Sequence, residues 1–137
     1  MTKILQDIWI LNTAGICMFK RVYDEKVDTQ LFSGFLSALD SMAISFNEGG
    51  LSNFDLKGKR FTIIKNGSYM FVANYDKNLS RKKASNELAT IVNKFLNKYD
   101  VDELVNWDGD VSFFEGFMDE IKDSLEDPVK MFKDALF

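Results

Sequence analysis

The chain has 137 residues, a length that favours one domain able to bury its own core. It contains no histidine and one cysteine, which excludes a catalytic triad with an imidazole base, a histidine-ligated metal and an internal disulfide bond. We therefore expect neither a conventional hydrolase nor a metalloenzyme, and no cofactor or metal site.

The net charge of −4 is unevenly distributed along the chain. Residues 1–100 carry +4, whereas residues 101–137 carry −8. The acidic balance argues against nucleic-acid binding, because neutralising phosphates requires clustered cations. The amino-terminal residues lack the shape of a signal peptide, and no apolar run is long enough to span a bilayer. We expect a cytoplasmic protein, with peripheral association with a membrane left open.

The first two elements are predicted to be strands over residues 7–12 and 16–22, joined by a short turn that contains Gly15. Both strands are apolar at consecutive positions, a pattern typical of strands that are covered on both faces. We therefore expect helices on each side of the sheet.

A helix is predicted over residues 29–46, with Asp28 as its N-cap and Val27 packing on Phe32 as a hydrophobic staple. Its apolar stripe is wide, so we expect a deeply buried helix. The main positions, at spacings of three and four, are Leu31, Phe35, Leu39, Met42 and Phe46. Three further positions broaden this stripe beyond what one sheet face needs, and we predict that they bind a partner: Phe32, Leu36 and Ala43.

Three strands are predicted next, over residues 51–57, 60–65 and 68–75. The last two are connected at Asn66-Gly67, a strong hairpin signal. A second helix follows over residues 81–99, with Ser80 as its N-cap. Its apolar face comprises Ala84, Leu88, Ile91, Val92, Phe95 and Tyr99.

Residues 101–137 are predicted to form an acidic helical extension of a domain made by residues 1–100. A short helical turn comes first, then a helix with Ser112 and Glu115 as capping box, then a last helix after Asp127-Pro128. The extension is too apolar to be a free tail. We predict that it docks on the domain near the basic residues, through Phe114, Phe117, Met118, Ile121, Val129, Phe132 and Leu136.

Two groups of cations are candidates for partner binding. One flanks a predicted turn, and the other opens the second helix, where cations oppose the helix macrodipole. Exposed charges are usually only solvated, but an acidic partner or a lipid headgroup would offset this cost. The candidates are Lys57, Lys59, Arg60, Arg81, Lys82 and Lys83.

The order of elements is strand, strand, helix, three strands, helix, helix. It predicts an α+β fold, in which a five-stranded antiparallel sheet is built from a hairpin and a meander and carries helices on both faces.

This order, with the opening IWILNTAGICMFKRVYD and the helix LFSGFLSALDSMAISF, resembles a longin domain. The segment SNFDLKGKRFTIIKNGSYMFVANYD is similar to the longin meander. The resemblance covers about residues 4–99, and its style is similar to free-standing longin proteins of archaea. The residues that carry it are Ile10, Leu11, Gly15, Met18 and Phe19 in the hairpin, then Leu31, Phe35 and Leu39 in the helix.

The resemblance implies a non-enzymatic protein-interaction module in membrane trafficking or vesicular transport. Its expected partners are a small Ras-like GTPase, a trafficking complex, another longin or roadblock-type domain, or a second copy in a homodimer. The alternative is a roadblock-like or PAS-like sensor of a small ligand. Roadblock domains begin with a helix before the first hairpin, for which the first seven residues leave no room.

Overall fold

The computed structural model describes residues 4–12, 14–22, 28–46, 52–56 and 59–125. The described elements begin with strands β1 and β2, helix α1, strands β3 to β5 and helix α2. Their bounds are β1 Asp7–Asn12, β2 Cys17–Arg21, α1 Thr29–Phe46, β3 Asn53–Leu56, β4 Lys59–Asn66, β5 Tyr69–Asp76 and α2 Arg81–Lys98. Four short helical elements follow: α3 Val101–Val105, a 3₁₀ helix Val111–Phe114, α4 Phe117–Ile121 and a 3₁₀ turn Lys122–Ser124.

The five strands form one antiparallel sheet in the order β2-β1-β5-β4-β3. The predicted α+β class and the hairpin-plus-meander architecture are confirmed. The β4–β5 loop consists of Gly67 and Ser68, since Asn66 still pairs with Tyr69. In the β1–β2 turn, Gly15 has a φ of 77°, and a side chain there would meet Ser37 of α1 at 3.2 Å. Glycine therefore allows α1 to approach this turn closely.

Consecutive residues of the strands enter two separate cores, as their apolar pattern predicts. Ile8 and Ile10 of β1 lie in a core that α2 covers, whereas Trp9 and Leu11 lie in a second core beneath α1. Helices therefore cover both faces of the sheet. The predicted inward face of α2 is confirmed, and its first turn is capped by the Ser80 hydroxyl, which accepts from the Lys83 backbone N–H.

Helix α1 begins as predicted, because the Asp28 carboxylate accepts a hydrogen bond from the Leu31 backbone N–H at 2.9 Å. Val27, the predicted staple partner, lies outside the described residues. The prediction that α1 is deeply buried is wrong. Only Ser33, Leu36 and Asp40 of its residues are buried, because the helix lays one narrow side on the sheet.

The capping box predicted at Ser112 and Glu115 is also wrong. Ser112 lies inside the 3₁₀ helix, and its backbone N–H and hydroxyl donate to the Asp110 carboxylate at 3.0 and 2.7 Å. A complete capping box instead starts α3, between Asp100 and Glu103. The helix predicted after Asp127-Pro128 lies outside the described residues.

The acidic region from Val101 to Leu125 packs on the carboxyl half of α2. The Phe95 ring lies 5.7 Å from that of Phe114 and 5.2 Å from that of Phe117. For these described residues, the predicted docking beside the basic residues is wrong. Burial of large aromatic side chains, at about 1.5–3 kcal/mol each, outweighs exposed ion pairs worth about 0.2–1 kcal/mol.

Candidate protein-interaction surface

One side of α1 presents large apolar side chains to solvent. Leu31 is 68% exposed, Phe35 55%, Met42 55% and Phe46 85%. Their spacings of four, seven and four residues place them on one side of the helix. We call these four residues the α1 stripe. Contiguous apolar surface of this kind is typical of an interaction site.

The α1 stripe is also uncharged. Asp40 is the only charged residue among the eighteen of α1, and it is turned inward and buried. Its carboxylate forms an ion pair with the Lys65 ammonium at 2.9 Å. A helix whose outer face stays in water ordinarily carries charges there. The composition of α1 therefore favours burial of this outer face against another surface.

The prediction that Phe32, Leu36 and Ala43 form the free apolar surface is wrong. Leu36 is fully buried, and the Phe32 ring lies 4.7 Å from that of Trp9 in the core under α1. Ala43 is half-buried. The two apolar sides of the helix are exchanged relative to the prediction, because large rings from the sheet pack on the Phe32 side.

The residues that sequence reasoning missed are therefore those of the α1 stripe, which were expected to face inward. Their orientation has no clear signal in the sequence. Asp40 lies four residues beyond Leu36, on the side that faces the sheet, whereas a lone aspartate ordinarily indicates the side that faces solvent.

The outer strand β3 lies next to the same aromatic cluster as α1. β3 pairs with β4 and is the last strand in the described sheet order. The Phe54 ring of β3 stacks on that of Phe61 at 4.5 Å, and Phe61 lies 6.1 Å from Phe32 of α1. An edge strand offers backbone hydrogen-bonding groups to a further strand. α1 and β3 together thus present an apolar helix face and a sheet edge.

The predicted cations lie in two places. Lys59 and Arg60 begin β4, where the Arg60 guanidinium lies 3.8 Å from the Asp55 carboxylate of β3. Arg81, Lys82 and Lys83 are exposed in the first turn of α2, on the other face of the sheet from α1. A groove of about 430 Å³ separates the side of α2 that bears Arg81 and Lys82 from Asn53 of β3. Lys57 lies outside the described residues.

A groove of about 530 Å³ lies between β2, the first turn of α1 and the carboxy-terminal region. Its lining is mostly apolar and includes Cys17, Met18 and Met118, and the groove is partly open to solvent. Burial raises the pKa of the Cys17 thiol to about 11, so the thiol stays protonated at neutral pH. The groove therefore offers no activated nucleophile.

The described part of the chain contains no group of three or more potential metal-ligating side chains. Within the same residues, no helix is both long and apolar enough to cross a membrane.

Comparison with known proteins identifies a solved structure with a similar fold. No protein-family model matches the chain. The roadblock/LC7 domain from Streptomyces avermitilis superposes with a TM-score of 0.56 at 15% identity, covering 70% of this chain and 85% of that one. The fold is similar to that of a roadblock/LC7 domain. Because roadblock domains have a longin-like fold, the resemblance to a longin domain is confirmed at the level of the fold, whereas a free-standing archaeal type stays a prediction.

Two further proteins are similar to this chain. MglB of Myxococcus xanthus is 19% identical, with a TM-score of 0.45 over 66% of this chain and 85% of that one. An uncharacterized protein of Bacillus anthracis is 29% identical over 84 residues, or 58% of this chain. The match spans 59% of the Bacillus protein, less than two thirds of its length. Roadblock domains are expected to begin with a helix before the first hairpin. None of the described residues before β1 is helical.

Proposed function

We propose that the chain is a non-enzymatic protein-interaction module that pairs with a second copy through the α1 stripe and β3, and that the pair binds a small Ras-like GTPase. The single observation that carries the pairing is the uncharged α1 stripe, whose four large apolar side chains are 55–85% exposed. The longin-like fold supports the class of partner.

The α1 stripe is large enough to offset much of the free-energy cost of association. Full burial of a large apolar side chain contributes about 1.5–3 kcal/mol, and two copies bring together eight such side chains. Because these side chains are already partly buried, the contact contributes roughly 10 kcal/mol. This free energy is similar in size to the cost of about 4–15 kcal/mol for bringing two proteins together. Further stabilisation must come from backbone pairing along β3.

A second copy is the occupant that satisfies both features at once. A two-fold axis places each surface against itself, so two α1 helices can pack while two β3 edges pair antiparallel. Because the outer face of α1 bears no charge, no like charges meet where the two helices pack. An unrelated partner would have to match the helix face and the strand edge separately.

The pairing is tested by analytical ultracentrifugation of the full chain at 500 mM NaCl. We expect a dimer for the natural sequence and a monomer for Phe35→Asp, which buries a charge in the contact. Ser41→Asp adds the same charge to an exposed position on another side of α1 and is the matched control, expected to stay dimeric. A monomeric natural chain at 100 µM, or a dimeric Phe35→Asp, would contradict the proposal.

The GTPase partner is tested separately. The small Ras-like GTPases of the source organism are immobilised, loaded with GDP or a non-hydrolysable GTP analogue, and exposed to the purified chain. We expect one nucleotide state of at least one GTPase to bind, with lost or weakened binding for Phe35→Asp if the pair is the binding unit. Absence of binding at 100 µM to every GTPase in both states would refute this partner and leave a trafficking complex as the next partner to test.

A further inference from the structure

The amino end of α2 concentrates positive charge. Arg81, Lys82 and Lys83 occupy its first turn, are all exposed, and make no ion pair with any described residue. Lys77 precedes them and is also exposed. Cations at a helix amino terminus add to the positive end of the macrodipole instead of offsetting it. This end of the helix is therefore electrostatically unsatisfied within the described chain.

The carboxyl end of α2 is surrounded by carboxylates. Asp102 and Glu103 follow it in α3, and Asp119 and Glu120 belong to α4, which packs beside it. Lys98 offsets this charge in part, through an ion pair with Glu120 at 3.7 Å. Residues 99–125 nevertheless contain nine acidic residues and one lysine. The negative charge also adds to the helix dipole.

The two charged ends cannot meet within one chain. α2 has 18 residues, so its ends lie about 27 Å apart. This separation is several times the Debye length of about 8 Å at physiological ionic strength. The acidic region is held at the carboxyl end of α2 by its buried aromatic side chains. Within one chain, therefore, neither charged end is offset by the other.

Between the charged ends, the outer face of α2 is polar and uncharged. The exposed residues Asn86, Thr90, Asn93 and Asn97 lie at spacings of four, three and four, so they share one side of the helix. Lys82 continues this row towards the amino end. Short polar side chains let a second helix approach closely, and they can exchange hydrogen bonds with identical residues.

We infer that α2 also docks antiparallel on α2 of a second copy. A two-fold axis near Thr90 brings the amino end of α2 in each copy to the carboxyl end of α2 in the other, where the carboxylates of α3 and α4 outnumber Lys98, so the complementary contact forms twice. The antiparallel arrangement also sets the two helix dipoles in opposite directions. Because exposed ion pairs are weak and screened, the contact forms at low ionic strength and is lost at high ionic strength.

This contact is separate from the proposed α1 pairing. α1 and α2 cover opposite faces of the sheet, so the two helix surfaces are distinct. The α1 contact is apolar and persists in salt, whereas the α2 contact is electrostatic. The Phe35→Asp variant, which removes the first contact, isolates the second.

Sedimentation of the full-length Phe35→Asp chain at 20 mM and 500 mM NaCl tests the inference. We expect the mass to double at 20 mM relative to 500 mM. Adding Arg81→Glu, Lys82→Glu and Lys83→Glu should abolish the doubling without unfolding the chain, because acidic residues suit a helix amino terminus. A monomer at 20 mM for the parent variant, or a dimer that survives the charge reversal, would overturn the inference.

Cross-linking fixes the geometry. In a Phe35→Asp background with Cys17→Ala, Thr90→Cys should form an intermolecular disulfide with oxidised glutathione as the oxidant, at least tenfold faster at 20 mM NaCl than at 500 mM. Ser68→Cys, exposed in the β4–β5 loop, is the control and should not cross-link faster at low salt. Equal rates at both positions would overturn the antiparallel contact. The α1 pairing is tested only by comparing the natural chain with Phe35→Asp at 500 mM NaCl. The result of one test therefore does not decide the other.

Discussion

The carboxylate of Asp40 accepts a hydrogen bond from the Lys65 ammonium at 2.9 Å, joining α1 to the end of β4. The two side chains are 25 residues apart in sequence, and that of Asp40 is only 13% exposed. Because Asp40 is the one charge in α1, this pair anchors the polar part of the buried side of the helix. The α1 stripe is consequently left facing solvent.

Replacing Asp40 by alanine should destabilise the fold. A hydrogen bond to a charged group contributes about 1.5–3 kcal/mol, and the substitution leaves the ammonium of Lys65, whose side chain is 31% exposed, without this carboxylate. We expect the free energy of unfolding in urea to fall by about 1–3 kcal/mol. Ser41→Ala, at the next and exposed position, is the control and should change it by less than about 0.5 kcal/mol. Equal stabilities of the two variants would show that the pair anchors nothing.

Much of the fold could be predicted from local signals. The turn at Gly15, the hairpin at Asn66-Gly67 and the caps at Asp28 and Ser80 each act within a few residues, so they are readable in the sequence. The order of the elements then leaves few arrangements of the sheet.

The orientation of α1 could not be predicted in this way. Both of its sides are apolar, and periodicity does not say which of two apolar sides the sheet covers. The choice depends on Trp9 and Phe61, which come from distant strands and pack on Phe32. The predicted position of the acidic region was wrong for a related reason. Its charges suggested docking near the basic residues, whereas its aromatic side chains pack on the carboxyl half of α2.

Phe117 should be among the most important residues for stability. Its ring is fully buried and lies 5.3 Å from Phe19 of β2 and 5.2 Å from Phe95 of α2, so it joins the carboxy-terminal region to the sheet. We expect Phe117→Ala to lower the free energy of unfolding by about 3–5 kcal/mol. Phe113→Ala, where the ring is 43% exposed, should cost clearly less. Similar losses for both variants in urea titrations would contradict this ranking.

Cys17 should react slowly with thiol reagents in the folded chain. Burial raises the pKa of its thiol from 9.0 to about 11, and only the thiolate reacts. At pH 8 the folded chain should therefore react with a disulfide reagent at least about 100-fold more slowly than the chain in urea. The rate should rise steadily as the pH increases towards 11. If the folded chain reacts as fast as the chain in urea, then the thiol is not buried and its pKa is not raised.

Deletion of residues 108–137 tests whether the acidic extension is an integral part of the domain. Among its described residues, Phe114, Phe117 and Ile121 are fully buried in the core that α2 covers. At about 1.5–3 kcal/mol each, these three side chains contribute roughly 5–9 kcal/mol, which is comparable with the whole stability of a small domain, about 5–15 kcal/mol.

We therefore expect the truncated chain to melt at a lower temperature or to aggregate, because Phe95 and Tyr99 lose their cover. Val105→Ser in the full-length chain is the control, since that side chain is 71% exposed and its change should leave the melting temperature within about 2 °C. The measurement is thermal unfolding followed by circular dichroism, with light scattering to detect aggregates. If the truncated chain is as stable and monodisperse as the full one, the extension is only a solubility tail, and the packing of its aromatic residues on α2 contributes nothing to the fold.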